Sequence, residues 1–145
     1  MGSAGYFLGR FRSCPPRNGS LAERAYGAWA ANDRERFIAT LAPEIVFHTS
    51  GAFPDFTGDY TGYEGMGRFW QELQEPWESF EIVLVGVEAF SETVAVIDIR
   101  FSGIGRGSGI PAELDFFHLA RANEEGKIVE LGAYADREAA LKAIP

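Results

Sequence analysis

From residue 80 to residue 135 the chain reads FEIVLVGVEAFSETVAVIDIRFSGIGRGSGIPAELDFFHLARANEEGKIVELGAYA. Stretches of apolar and β-branched residues alternate here with turn-forming residues, and this pattern predicts four long strands at 80–89, 93–102, 112–122 and 128–135. The turns are short, because 103–109 is rich in glycine and 124–127 suits a hairpin. Strands that follow one another through short turns pair antiparallel, so this part of the chain predicts an antiparallel sheet.

Helices are predicted before and after these strands in the sequence. Ser20 and Glu23 have the spacing of a capping box, and apolar residues follow them at helical spacing. Asp33 suits the N-cap of a second helix, 64–73 has the apolar stripe of a third, and Asp136 caps a short fourth. One more strand is predicted at 45–49. We therefore expect an α+β fold, in which a curved antiparallel sheet wraps around helices as a cone with one pocket.

Length, charge and composition restrict the class of protein. The 145 residues are 46% hydrophobic, which predicts one domain at 20–145, preceded at 1–19 by a flexible arm or a cloning remnant. A net charge of −8 disfavours nucleic-acid binding, and without a run of 18 apolar residues nothing predicts a membrane span. Cys14 is the only cysteine, so no intrachain disulfide forms and no cysteine-based zinc site is expected. We expect a cytoplasmic protein.

Several short stretches, taken in this order and spacing, resemble the SnoaL-like, nuclear-transport-factor-2-like superfamily. They are ERAY at 23–26 with AND at 31–33, LAPEIVFH at 41–48, GYEG at 62–65, and GKIVE at 126–130 with YADR at 134–137. The resemblance covers about residues 20–143. It implies a cone around a pocket for a small hydrophobic molecule, no cofactor or metal, and a homodimer formed through the outer face of the sheet.

Two kinds of function are compatible with this resemblance. The first is a cofactor-independent acid–base enzyme of the isomerase, cyclase or hydrolase/dehydratase type. The second is a non-catalytic module that binds a ligand or another protein. Since a shared fold does not imply a shared function, the choice between them depends on individual residues.

His48 and Asp115 are the candidate catalytic residues. His48 ends the first strand, and the resemblance implies that ketosteroid isomerases hold a catalytic carboxylate at this position; a histidine there suits a general base near neutral pH. The pocket acid of those relatives aligns with Phe117, and strand alternation places Asp115 on the same, inward face. A carboxylic acid in an apolar pocket has a raised pKa and can donate a proton. The alternative for His48 is a hydrogen-bonded histidine at the rim without a catalytic role, and the alternative for Asp115 is an acid that faces solvent.

Asp98 and Arg100 form a weaker candidate pair. They resemble the acid–arginine arrangement of limonene-epoxide-hydrolase relatives, but their order along the strand is reversed. The alternate residues of that strand are wholly apolar and suit the inside better, which favours an exposed or interfacial position for Asp98 and Arg100. By the same alternation His118 is expected on the outer face. The face proposed for dimerisation would then carry Val94, Val96, Phe116 and His118 beside Asp98 and Arg100.

Aromatic and apolar residues are the candidate walls of the pocket. They are Tyr26, Trp29, Phe53, Tyr60, Phe69, Trp70, Phe117 and Leu131. Aromatic residues at helical spacing are also the usual composition of a plain core, so each residue has that alternative. The resemblance places the oxyanion-donor tyrosine of isomerase relatives at Ala25, one residue from Tyr26. This departure argues against true ketosteroid isomerase activity.

Overall fold

The structure, a computed structural model, describes residues 20–49 and 59–145. The arm predicted for 1–19 and the candidate wall residue Phe53 lie outside the described residues. Four helices are described, at the places where the sequence predicts them. They are α1 (Leu21–Ala30), α2 (Arg34–Ile38), α3 (Gly62–Gln74) and α4 (Arg137–Lys142).

Side-chain caps explain where three of these helices begin. The Ser20 hydroxyl accepts a hydrogen bond from the Glu23 backbone N–H, and the Glu23 carboxylate accepts one from the Ser20 N–H, so the predicted capping box is confirmed. Asp33 and Asp136 cap α2 and α4, each through a carboxylate oxygen that accepts a hydrogen bond from the backbone N–H three residues further on. Each of these caps satisfies backbone N–H groups that a helix start leaves without an intrahelical partner.

One sheet of six strands carries the helices. The strands are β1 (Leu41–His48), β2 (Asp59–Thr61), β3 (Trp77–Ala89), β4 (Val94–Gly105), β5 (Pro111–Ala122) and β6 (Ile128–Tyr134). They lie in the order β2-β1-β6-β5-β4-β3, with β2 and β3 as the edge strands, so the curved sheet does not close. The expected α+β cone is confirmed. The sequence predicted a loop at 51–62, whereas the short strand β2 occupies part of it, and β1 pairs with β6 in parallel.

The two faces of the sheet differ in character. The inner face of β4 is apolar as predicted, with Ile97 and Ile99 fully buried beneath the helices. In the observed register Ile99 lies opposite Phe116 and Arg100 lies opposite Asp115. Since residues opposite one another share a face, Phe116 points inward and Asp115 points outward.

The predicted face assignment for β5 is therefore wrong by one residue. Phe116, His118 and Ala120 are fully or almost fully buried on the inside, while Asp115 and Phe117 lie on the outer face. The expectation that Phe116 and His118 belong to an outer interface is corrected by the same register. Two consecutive phenylalanines make the alternation of this strand ambiguous, because either face can then be taken as the apolar one.

The helix α4 packs against β5, β6 and β4. Arg137 at its start forms an ion pair of 2.7 Å with Glu88 of β3, which lies opposite Val96 of β4. Val96 faces outward yet is only 2% exposed. We infer that α4 and the residues after it cover this end of the outer face. Among the described helices, none is long and apolar enough to cross a membrane.

Candidate functional site

Two polar side chains meet in the interior of the cone. The Tyr26 hydroxyl of α1 lies 2.6 Å from Nδ1 of His118, which β5 points inward. Both residues are 1% exposed. They are 92 positions apart in the sequence, and they meet because α1 covers the inner face of the sheet.

Burial determines the charge state of this pair. Desolvation lowers the pKa of His118 to about 3, so the imidazole is neutral at physiological pH. Desolvation also raises the pKa of Tyr26 above its ordinary value, so the phenol keeps its proton. A phenol O–H is a better donor than a neutral imidazole N–H, and we therefore assign Tyr26 as the donor to Nδ1. The proton of the imidazole then lies on Nε2.

The interior also contains two polar atoms without a partner. Nε2 of His118 and Nε1 of Trp29 are buried and make no hydrogen bond with any described residue. The two rings are stacked, with centroids 5.8 Å apart and planes within 15°. A buried donor without an acceptor costs about 1–3 kcal/mol, and most such groups in proteins are paired. The described part of the chain therefore leaves both of these interior nitrogens without an acceptor.

Aromatic rings surround the pair. The ring of Phe47 lies edge-on to His118 at 5.2 Å, and Phe116 lies 5.3 Å from the same imidazole. Phe69 packs edge-on against Phe47 at 4.8 Å. Among the described residues no carboxylate is buried, since the buried polar residues are Ser20, Thr40, Thr49 and His118. The described surroundings of the pair are therefore apolar and contain no carboxylate.

His48 occupies a different place from the one that the sequence predicted. It lies on the outer face, and its side chain is 38% exposed. Nδ1 is 2.9 Å from Asp59 and Nε2 is 3.2 Å from Glu130. Burial lowers the pKa of His48, but the hydrogen bonds and charges of Asp59 and Glu130 outweigh burial and hold the pKa above its ordinary value. Both nitrogens are thus engaged by carboxylates, and neither is free to accept a proton from a substrate.

Asp115 is also on the outer face, against the expectation that it points into the pocket. Its side chain is 57% exposed and accepts a hydrogen bond of 2.9 Å from Arg100 Nε. His48 lies opposite Gly132, which lies opposite Leu119, four residues along β5 from Asp115. The structure therefore does not bring His48 and Asp115 together as a dyad. The catalytic roles proposed for each of them stay predictions.

Asp98 and Arg100 lie on the outer face of the sheet, as the alternation of β4 predicts. Arg100 pairs with Asp115 of the neighbouring strand rather than with Asp98. Burial and the charge of Asp115 raise the pKa of Asp98, against the opposing effect of Arg100. Asp59 and Glu130 lie at opposite nitrogens of His48. Among the described residues, no group of three or more His, Cys, Asp or Glu side chains could hold a metal ion.

The predicted wall residues separate into three groups. Tyr26, Trp29, Phe69, Trp70 and Leu131 belong to the interior cluster. Tyr60 is also buried there, but its hydroxyl donates to Glu72 at 2.7 Å and is not free for a ligand. Phe117 lies on the outer face, opposite Asp98.

Sequence reasoning missed His118 as a site residue, although a signal was present. Its strand carries Leu114, Phe116, Ala120 and Ala122 in alternation with it, whereas the other set contains Glu113, Asp115 and Arg121. The more apolar set is the better candidate for the inner face of a half-buried strand. By this criterion, His118 is predicted to lie on the inner face of the sheet.

Comparisons with known proteins agree with this architecture. The family model described as SnoaL-like domain matches residues 22–131. No curated protein has a significantly similar sequence. Solved structures are similar in fold at low sequence identity, so they establish the fold alone.

Three of these structures illustrate the range of structural similarity and sequence identity. An NTF2-like protein from Burkholderia thailandensis superposes with a TM-score of 0.71 at 24% identity, over 86% of this chain and 95% of that one. A Mycobacterium tuberculosis protein in complex with estradiol-17beta-hemisuccinate gives 0.68 at 17% identity, over 81% and 92%. The Delta 5-3-ketosteroid isomerase from Mycobacterium sp. gives 0.64 at 20% identity, over 82% and 92%.

Proposed function

The chain belongs to the SnoaL-like domain family, and on that premise we propose that it binds a small, neutral, largely apolar molecule inside the cone. The Tyr26–His118 pair would hold the polar atom of that molecule. The observation that carries the proposal is the buried Nε2 of His118, which has no acceptor among the described residues. Tyr26 orients the imidazole from the opposite nitrogen, 2.6 Å away.

The chemistry of the interior supports a neutral ligand with an acceptor oxygen. Trp29 Nε1 can only donate, and the assigned tautomer makes His118 Nε2 a donor as well. No buried carboxylate of the described residues is available to pair with a cation. The steroid complex of the tuberculosis protein supports the apolar body of such a ligand, since the steroid nucleus is rigid and apolar, but its hemisuccinate group carries a carboxylate and does not support neutrality. Because the pair is 1% exposed, binding should require movement of neighbouring side chains.

Acid–base catalysis without a cofactor is the second candidate, of the isomerase, cyclase or hydrolase/dehydratase type. One observation favours it. The pKa of His118 is lowered and that of Tyr26 is raised by burial, and strongly displaced titratable groups in an interior are a frequent feature of active sites. With no described carboxylate buried beside them, His118 would have to act as the base, in the other tautomer, in which Nδ1–H donates to the Tyr26 oxygen and Nε2 is unprotonated.

Estradiol and a set of neutral apolar ketones are the probes for both candidates. We expect binding to shift the NMR signals of the Trp29 indole N–H and the His118 imidazole nitrogens. Loss of one hydrogen bond in His118→Phe should weaken binding about tenfold. In D₂O, deuterium appearing next to the ketone carbonyl with the wild type and not with His118→Phe would favour catalysis over binding alone.

The matched control for this experiment is Arg100→Gln, which removes an exposed charge from the outer face. It should bind the same probes as the wild type does. If none of the probes shifts the Trp29 or His118 signals, or if His118→Phe binds equally tightly, the interior is a plain core and the proposal is wrong.

A homodimer through the outer face of the sheet is part of the same proposal. After the corrected register, the exposed apolar residues of that face include Val83 of β3, which is 43% exposed and lies opposite Arg100. We expect sedimentation at micromolar concentration to give a dimer and Val83→Glu to shift it towards monomer. A wild-type protein that sediments only as a monomer would exclude this assembly.

A further inference from the structure

A small cavity lies on the outer face, on the opposite side of the sheet from Tyr26 and His118. Its volume is about 170 Å³. Leu119 and Val94 form an apolar floor, and Ala143 and Pro145, which follow α4, lie over it. Pockets for drug-sized ligands are typically about 300–1,000 Å³, so this cavity suits a molecule with about the volume of a single substituted ring.

One wall of this cavity is a chain of charged side chains. Glu130 accepts a hydrogen bond of 3.0 Å from Arg121 Nε and one of 3.2 Å from His48 Nε2. The other nitrogen of His48 is held by Asp59 at 2.9 Å. Burial raises the pKa of Glu130, but its bonds to Arg121 and His48 outweigh burial and hold the pKa below its ordinary value. The Glu130 carboxylate is therefore ionised and already engaged, and the Asp59 carboxylate is engaged by His48.

The polar groups of the cavity that remain unengaged are donors. Arg121 uses only Nε toward Glu130, and its two terminal nitrogens make no hydrogen bond with a described residue. The Tyr134 hydroxyl likewise makes none with the described part of the chain. Burial, and then the charge of Glu130, raises the pKa of Tyr134, so this phenol stays protonated. A ligand here must bring acceptors.

A glycine places Tyr134 at this wall. A Cβ atom at Gly132 would lie 2.9 Å from the Tyr134 hydroxyl oxygen and 2.9 Å from the edge of its ring. The absence of a side chain therefore lets the tyrosine lie across Gly132, which is opposite His48 in the β1–β6 register. The Tyr134 hydroxyl therefore lies over the position that pairs with His48.

We propose that this outer cavity binds a small monocarboxylate with an apolar body. The carboxylate would accept from the terminal nitrogens of Arg121 and from the Tyr134 hydroxyl, and the apolar body would lie on Val94 and Leu119. A guanidinium with free terminal nitrogens matches the geometry of a carboxylate, and charge-assisted hydrogen bonds of this kind are the stronger ones in proteins. The site is separate from the interior and does not rest on the function proposed for it.

Benzoate titration of the full chain, followed by NMR, tests the proposal, with benzamide as the uncharged analogue. We expect saturable shifts at Tyr134, Arg121 and Val94, and at least tenfold weaker binding of benzamide. Tyr134→Phe keeps the ring over Gly132 and should weaken benzoate binding about tenfold, because it removes a hydrogen bond to a charged group. Arg121→Lys keeps the charge but loses the planar fork and should weaken binding as well.

The control is Arg137→Gln, which removes an exposed arginine that pairs with Glu88 and does not line the cavity. It should leave the benzoate affinity unchanged. Equal binding of benzoate and benzamide, no effect of Tyr134→Phe, or shifts that appear at Trp29 and His118 instead would each overturn the proposal. If estradiol and the ketones do not bind in the interior, the benzoate result still stands, because the two sites share no side chain.

Discussion

Lowering the pH from 7 to 4 is expected to destabilise the fold by about 3 kcal/mol through His118 alone. The pKa of this buried imidazole is about 3 in the folded protein, against an ordinary value of 6.5. Below pH 6.5 the unfolded chain binds a proton that the folded chain does not, so stability falls by about 1.4 kcal/mol per pH unit until about pH 3. Above pH 6.5 the effect of this histidine is absent. Urea unfolding at several pH values measures it.

The double variant Tyr26→Phe/His118→Phe isolates this contribution. Replacing both hydrogen-bonding partners by apolar groups of similar shape is often nearly neutral, whereas Tyr26→Phe alone leaves Nδ1 of His118 buried without its donor and costs about 1–3 kcal/mol. The double variant should match the wild type near pH 7 and lose the steep decline below pH 6.5. His48 and Glu130 titrate in both proteins, so their effects cancel in the difference. An unchanged pH slope would mean that His118 is protonated in the fold.

Truncating Phe47 is expected to have the largest effect of any single substitution considered for this chain. Phe47→Ala should lower the free energy of unfolding by about 3–5 kcal/mol, because it removes a fully buried ring and leaves a cavity. The ring is 1% exposed and makes edge-on contacts with Phe69 and His118. Since one of these contacts is to the imidazole, the variant should also broaden the His118 NMR signals. Chemical denaturation measures the first effect.

Val46→Ala is the matched control in the preceding position of the same strand. Val46 is partly exposed and lies on the outer face, opposite Glu130. Its truncation should lower the free energy of unfolding by about 1 kcal/mol or less. Equal losses in the two variants would show that β1 does not present Phe47 to a packed interior.

Local signals predicted the elements of this fold well. The capping box at Ser20 and the N-caps at Asp33 and Asp136 lie where the sequence places them, because a helix start depends on side chains within three residues of it. The four long strands also agree to within a few residues, since β-branched runs between turns are a local pattern. The parallel pairing of β1 with β6 depends on contacts between residues about 85 positions apart, which no local pattern contains.

The candidate site shows the limits of local patterns more sharply. His48 attracts attention as a histidine at a strand end, but two carboxylates from β2 and β6 engage both of its nitrogens. Asp115 attracts attention as an acid in an apolar strand, but Arg100 of the neighbouring strand pairs with it outside. In both cases the partner comes from another strand, and the register between strands determines which side chains meet.

The sequence alone was sufficient to establish the α+β class, the helix boundaries and the apolar inner face of β4, because each of these follows from residue types within one element. Only the tertiary structure showed that His118 lies inside and that Tyr26 is its partner. A strand shifted by one residue exposes the opposite set of side chains, and the Phe116-Phe117 pair leaves that shift undetermined by composition. Packing against α1 and pairing with Ile97 resolve it, because they place the more apolar face of β5 away from water.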